Sequence, residues 1–250
     1  MTLLQGTRRA LLGGRRDAFT LTATTVASPQ NVTIHRMTPV GGPVTIFWGD
    51  GSSTVQAVGD TAAEVHAYAT AGTYRIKVTP ASRIQQIDIH DPLLSRVRSS
   101  QLRNSPITYF ICHHVGNASP NVVSSVDMSA WTPTYWWLYD MPAGLTFTIN
   151  ATHFAGWTTT TNFQAQDNSL LQADVNKLLY GMYQASVVPR TAANGTINVG
   201  GTNAAPSGVF QAAAACPVDA ATPGKEVQHE LLNDGCGVGF NVWATVTVTA

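Results

Sequence analysis

Charged side chains make up only 11% of this 250-residue chain, less than half the share of about 25% usual in soluble domains. With hydrophobic residues at 44%, disorder driven by charge excess is excluded, because the chain has enough apolar surface to bury. The 14 Lys+Arg and 14 Asp+Glu cancel to a net charge of zero, which argues against nucleic acid as the main partner. Cysteine is scarce as well. Cys112, Cys216 and Cys236 are too few for a disulfide framework or a four-cysteine metal site. No segment approaches the roughly 18 consecutive apolar residues that span a bilayer. The N-terminus, Met-Thr-Leu-Leu-Gln-Gly-Thr-Arg-Arg, lacks the apolar stretch and small-residue cleavage site of a secretory signal.

What is abundant is threonine, 31 residues of it. Polarity carried by β-branched residues instead of charges favours half-buried strands over long solvated helices. The few charges are unevenly placed. Residues 1–110 hold 11 Lys+Arg against 6 Asp+Glu, and residues 111–250 hold 3 against 8. Arg8, Arg9, Arg15 and Arg16 fall within the first sixteen positions with no acid among them. Such an arm is suited to an acidic partner surface or DNA, and equally to solvent.

Between residues 17 and 80, Phe19-Thr-Leu-Thr-Ala, Asn31-Val-Thr-Ile-His35, Val44-Thr-Ile-Phe-Trp48 and Tyr74-Arg-Ile-Lys-Val78 alternate apolar and polar side chains. A period of two between Gly, Pro and Asp turns predicts strands with one face inward, and several at this spacing predict a sandwich. Val44-Thr-Ile-Phe-Trp48-Gly49-Asp50-Gly51, then His66-Ala-Tyr68, then Gly72-Thr73-Tyr74-Arg-Ile-Lys-Val78 resembles the PKD-type Ig-like domain, over roughly residues 19–80. The likeness implies a β-sandwich acting as spacer or binding module, without chemistry of its own. Tyr74 is expected to cap a buried backbone group with its hydroxyl.

From Ile84 the pattern changes. Ile84-Gln-Gln-Ile87-Asp-Ile89 recurs loosely at Ile107–Phe110, Val123–Met128, Tyr135–Leu138, Leu145–Ile149, Phe154–Trp157 and Phe163–Leu170. This resembles a degenerate leucine-rich repeat, whose units must stack to bury their apolar edges; a plain β-meander is the alternative. Residues 169–184 predict a helix with Ser169 as cap and a stripe of Leu170, Leu171, Val175, Leu178, Leu179, Met182 and Tyr183. That helix would close the open end of the stacked core. A strand at Gly195–Val199, a short helix from Gly224 stopped by Gly235, and a final strand from Phe240 to Val248 complete the reading.

The order of repeat strands, helix, Gly195–Gly208 and Gly239-Phe240-Asn241-Val242-Trp243 is similar to the C-terminal region of PKD and leucine-rich-repeat proteins of phages and prophages. That resemblance implies a virion protein, made in the host cytoplasm and released by lysis.

Few residues suggest chemistry. His113 and His114 point to opposite faces of a strand, and His35, His66, His90, His153 and His229 have no metal-ligand spacing. Asp88, Asp91, Asp127 and Asp140 follow repeat strands; they form either a carboxylate ladder for glycan hydrolysis or turn-capping side chains. Gly200-Gly201 lacks the remainder of a phosphate-binding motif. Cys112 reads as a small buried hydrophobe, and pairing of Cys216 with Cys236 stays open. The aromatic cluster Trp131, Tyr135, Trp136, Trp137 and Tyr139 has three readings: a protein contact surface, a glycan surface, or core.

The expectation is therefore a mainly β protein. It comprises a basic arm (1–18), an N-terminal Ig-like (PKD-type) β-sandwich (19–80), and an irregular leucine-rich-repeat-like β segment with a capping helix (84–250). Its expected role is non-enzymatic, without cofactor or metal. It would be a tail fibre, baseplate or capsid-decoration component that serves particle assembly and host attachment, in contact with other virion proteins in a symmetric assembly and with a host-surface glycan or receptor, with a glycan-binding adhesin as alternative.

Overall fold

The computed structural model describes residues 17–95, 99–102, 104–113, 131–140, 157–187, 195–212, 216–217, 222–234, 236 and 242–250. The chain is mainly β, in several sheets. Strand β1 (Phe19–Thr25) turns Phe19, Leu21 and Ala23 inward and leaves the intervening threonines half-exposed, as a two-residue period requires. Two further strands at the start of the chain are β2 (Gln30–Ile34) and β3 (Arg36–Pro39). They are followed by β4 (Val44–Phe47), β5 (Ser53–Gln56), β6 (Glu64–Tyr68) and β7 (Gly72–Thr79). β1 and β7 pair antiparallel along the full length of β1, from Phe19 opposite Val78 to Thr25 opposite Gly72. β4 and β5 extend that sheet, while β2 and β6 form a separate antiparallel pair.

An aromatic stack ties these two sheets together, and it is built from the motif residues. The Trp48 ring lies flat on His66, with centroids 4.7 Å apart, and His66 meets Tyr68 edge-on at 4.6 Å. Tyr68 in turn stacks on Tyr74 at 4.0 Å. Tyr68, fully buried, donates its hydroxyl to the Trp48 carbonyl at 2.7 Å. The expected cap is thus supplied by Tyr68. Tyr74 differs from expectation because its ring lies nearer the surface, so its hydroxyl bonds the exposed Thr70 carbonyl at 2.7 Å instead. Gly49 sits at φ +90°, where a Cβ would lie 2.7 Å from the Arg75 carbonyl oxygen; only glycine permits that approach.

Beyond β7, the strands β8 (Ile84–Ile89), β10 (Tyr109–His113), β11 (Tyr135–Tyr139), β12 (Asn162–Gln164), β13 (Thr196–Asn198) and β14 (Thr245–Thr247) lie side by side in chain order, all parallel. Parallel neighbours need a crossover of a dozen or more residues, and here each crossover returns the chain to the next position in the sheet. The register aligns one buried row, Ile87, Phe110, Trp136, Phe163, Ile197 and Val246. Trp136 stacks on Phe163 at 4.7 Å within it. Ile89, Cys112 and Leu138 make a second inward row, and burial pushes the Cys112 thiol pKa up.

The two regions exchange strands. β3 pairs antiparallel with β8 at the edge of the parallel sheet, and β9 (Leu94–Ser95) returns to pair with β1. Their buried side chains form one continuous cluster.

Asparagines join successive turns of the parallel region from inside. Asn203, 2% exposed, accepts from the backbone N–H groups of Asn168 and Leu170 and donates to the carbonyls of Ala165 and Val199. Asn168 donates to the carbonyls of Leu138 and Ala165. Buried backbone groups left over by the crossovers are satisfied this way.

Helix α1 (Gln172–Val187) fills the β12–β13 crossover and packs on helix α2 (Gly224–Asn233). α1 starts later than the sequence predicts. Ser169 is exposed in the left-handed region (φ 53°) and is not the cap, and Leu171 is 71% exposed and outside the stripe. The reason is that the segment 168–170 is held to Asn203 and Thr202 before the helix begins. α2 ends on Asp234, left-handed at φ 46°, ahead of the predicted stop at Gly235, which lies outside the described residues. Cys216 and Cys236 form a disulfide. The repeat segments predicted at 123–128 and 145–149 also lie outside the described residues.

Candidate functional site

Opposite the buried rows the parallel sheet has an open face: among the described residues its side chains are half-exposed or exposed apart from Ile111, and the apolar residues of α1 and α2 belong to the core cluster. Side chains that alternate with the core positions stand on it in register: Gln86, Tyr109, Tyr135, Asn162, Thr196 and Thr245 in one row, and Asp88, Ile111, Trp137, Gln164, Asn198 and Thr247 in the next. The aromatic cluster is thereby divided. Tyr135, Trp137 and Tyr139 belong to this open face, with Tyr135 39% exposed. Trp131 and Trp136, expected on a contact surface, are fully buried. Trp136 alternates inward on β11, and Trp131 packs on Phe110 at 5.2 Å with its Nε1 donating to the Leu102 carbonyl. Arg8, Arg9, Arg15 and Arg16 lie outside the described residues.

Trp137 is held in place. Its Nε1 donates to Asn162 Oδ1 at 2.8 Å, Gln164 Nε2 donates to the same oxygen at 3.0 Å, and Gln166 Nε2 donates to Gln164 Oε1 at 3.1 Å. Tyr135 lies 5.6 Å from Tyr109 and 6.3 Å from Trp137, ring centre to ring centre. Arg36, on β3, stands over the Tyr109 ring at 4.8 Å, within range of a cation–π attraction.

At the other end of the strands four rings stack across four segments. His35 lies 3.4 Å from His90, His90 4.8 Å from His113, and His113 4.6 Å from Tyr139, all nearly parallel. Asp88 contacts His90 Nδ1 at 2.6 Å, and Asp91 accepts the backbone N–H groups of Thr33 and Leu93. Burial, followed by the neighbouring His90, lowers the pKa of His35. Burial, followed by Asp88, raises those of Tyr109 and Tyr139. The spacing of each histidine along the chain gives no sign of this stack. The signal for part of it was present: His90, His113 and Tyr139 each follow an aligned apolar–x–apolar triplet. His35 reaches the stack from the antiparallel β3 side, which no repeat spacing announces.

The other polar clusters have simple geometry. Asp50, His66 and Ser52 meet, but Asp50 Oδ2 and Ser52 Oγ both approach the same His66 nitrogen, at 2.7 and 3.5 Å. A relay uses the two ring nitrogens for different partners, so this trio ties a turn. Burial opposes ionisation of Asp50, yet the Ser52 hydrogen bonds and His66 hold its pKa down to about 2. Asp140 is exposed in the left-handed region, and Asp127 lies outside the described residues. Gly201 is left-handed (φ +71°), and a Cβ there would collide with the Asp167 carboxylate, a packing requirement. Among the described residues no group of three or more His, Cys, Asp or Glu is placed to hold a metal ion.

Fold and face together define a mainly β protein in which antiparallel sheets continue into a parallel sheet of successive strands with one ordered open face. No family model, curated protein or solved structure matches the chain.

Proposed function

We propose that this chain is a non-enzymatic structural component of a phage particle, exterior or tail-associated, that presents the open face of its parallel sheet for contact. In this reading residues 19–80 form a PKD-type Ig-like sandwich and the parallel strands are stacked leucine-rich-repeat-like units. The observation that carries the contact role is the register of Tyr109, Tyr135 and Trp137 on adjacent strands, with Trp137 fixed by Asn162. Rigid aromatic side chains at low entropic cost are what binding surfaces use. The Trp48–His66–Tyr68–Tyr74 stack supports the sandwich reading, since it explains why those residue types occur together in the motif. The virion assignment rests on the motif resemblance in the C-terminal region.

Mass spectrometry of purified particles, with labelled antibody against the chain, tests the proposal. The chain is expected at high copy with the label at symmetric sites. Its absence from particles would refute the assignment.

A further inference from the structure

The chain has six tryptophans, and five of them, Trp48, Trp131, Trp136, Trp157 and Trp243, are at most 1% exposed. Trp137 is the exception. It is half-buried on the open face, and its one polar atom is committed to Asn162 at 2.8 Å. A solvent-reachable indole whose N–H is already satisfied offers a flat apolar surface, held in one orientation before any ligand arrives.

We infer that Trp137, with Tyr135 beside it and the Asn162–Gln164–Gln166 amides next to it, is a binding site for an uncharged carbohydrate chain. The inference rests on the reading of this face as a contact surface and names its ligand.

Charge is the first argument. From β11 to β14 the strand positions on this face carry Tyr, Trp, Asn, Gln and Thr, with no acid or base among them. An anionic ligand would find no counter-charge there. Arg36, Asp88 and the histidines all lie towards the β3 side. A sugar presents a C–H face suited to an aromatic ring and hydroxyls that both donate and accept. Primary amides and threonine hydroxyls also do both. The second argument is the lack of exposed aliphatic surface. Ile111 is the aliphatic residue in these two rows, and it is 3% exposed. The buried core of a protein–protein contact is more apolar than that, so a protein partner is the poorer fit. The third is preorganisation. The hydrogen-bonded series Gln166 to Gln164 to Asn162, joined by Trp137, fixes four side chains, which removes part of the ordering cost of binding.

The test uses the full chain with cellohexaose, maltoheptaose and N-acetylchitohexaose as neutral probes and polygalacturonate as the anionic one. Binding is followed by tryptophan emission and by calorimetry. At least one neutral probe should bind and shift the emission, with little dependence on salt. Trp137→Ala and Asn162→Ala should each weaken binding about tenfold or more. Trp137→Phe should keep part of the affinity and lose the emission change. Unfolding curves of each variant show that the fold is retained, and Trp137→Phe and Asn162→Ala serve if Trp137→Ala does not fold. Binding of no neutral probe overturns the inference. So do binding indifferent to all three variants and binding of polygalacturonate alone. Conversion of a dimer to a monomer by Trp137→Ala would make the face a copy–copy contact, and also overturns it. Presence of the chain in particles with no sugar bound refutes this inference alone, whereas absence from particles refutes the virion assignment whatever the sugars do.

Discussion

Adjacent tryptophans on β11 offer a direct test of which side of the parallel sheet is core. Trp136 is fully buried between Phe110 and Phe163, with ring centres 6.2 and 4.7 Å away. Trp136→Ala removes the largest side chain of its row and leaves a cavity that rigid neighbours on both sides cannot close. Large-to-small changes of this kind cost about 3–5 kcal/mol. For a chain of this length, that lowers the melting temperature by roughly 6–20 °C. Trp137→Ala removes a half-exposed ring and one hydrogen bond, at a cost of about 0.5–1.5 kcal/mol. Chemical denaturation of both variants, followed by circular dichroism, measures the contrast. Acrylamide should quench Trp137 in the native protein and leave the other five tryptophans shielded. Equal destabilisation by the two substitutions, or loss of acrylamide quenching in Trp136→Phe but not in Trp137→Phe, would refute the assignment of faces.

Three further outcomes are expected. Asn203→Ala deprives two buried N–H groups and the Val199 carbonyl of the amide, and leaves the Ala165 carbonyl with Asn168 alone; a destabilisation of at least about 2 kcal/mol is expected in urea titrations, and a neutral effect would show that water replaces the amide. Tyr68→Phe leaves the buried Trp48 carbonyl without its 2.7 Å donor and should cost about 1–3 kcal/mol, with hydrogen exchange rising first around residues 44–48 and 64–68. The folded-state pKa of His35 lies below its ordinary value near 6.5, so the native state binds fewer protons than the unfolded chain. Its contribution is then complete above about pH 6.5 and declines as pH falls through the lowered value; denaturation midpoints from pH 8 to pH 5 should fall more steeply for the native chain than for His35→Gln.

Much of the architecture was legible locally. The alternation of Phe19, Leu21 and Ala23 fixed which side of β1 is buried, because neighbouring side chains on a strand must point to opposite faces. The same rule puts Tyr135, Trp137 and Tyr139 on one side of β11 and Trp136 on the other. The aromatic cluster as a contact surface was only partly legible. Trp131 reads as part of it by proximity in sequence, yet it packs behind the sheet on Phe110. The start of α1 differs from the sequence expectation: a serine ahead of an apolar stripe is a sound cap signal, but the bonds that hold residues 168–170 come from Asn203 and Thr202, more than thirty positions away.

Strand periodicity, the paucity of charge and the Trp48–Tyr74 motif were thus properties of the sequence by itself, since each depends on residues close along the chain. Which strands became neighbours was decided only in three dimensions. The pairing of β3 with β8, the return of β9 to β1, the stack of His35 on His90 and His113, and the fixing of Trp137 by Asn162 all join residues separated by many positions. Such contacts follow from the register of one strand against another, and that register is set by the burial of the whole inward row at once.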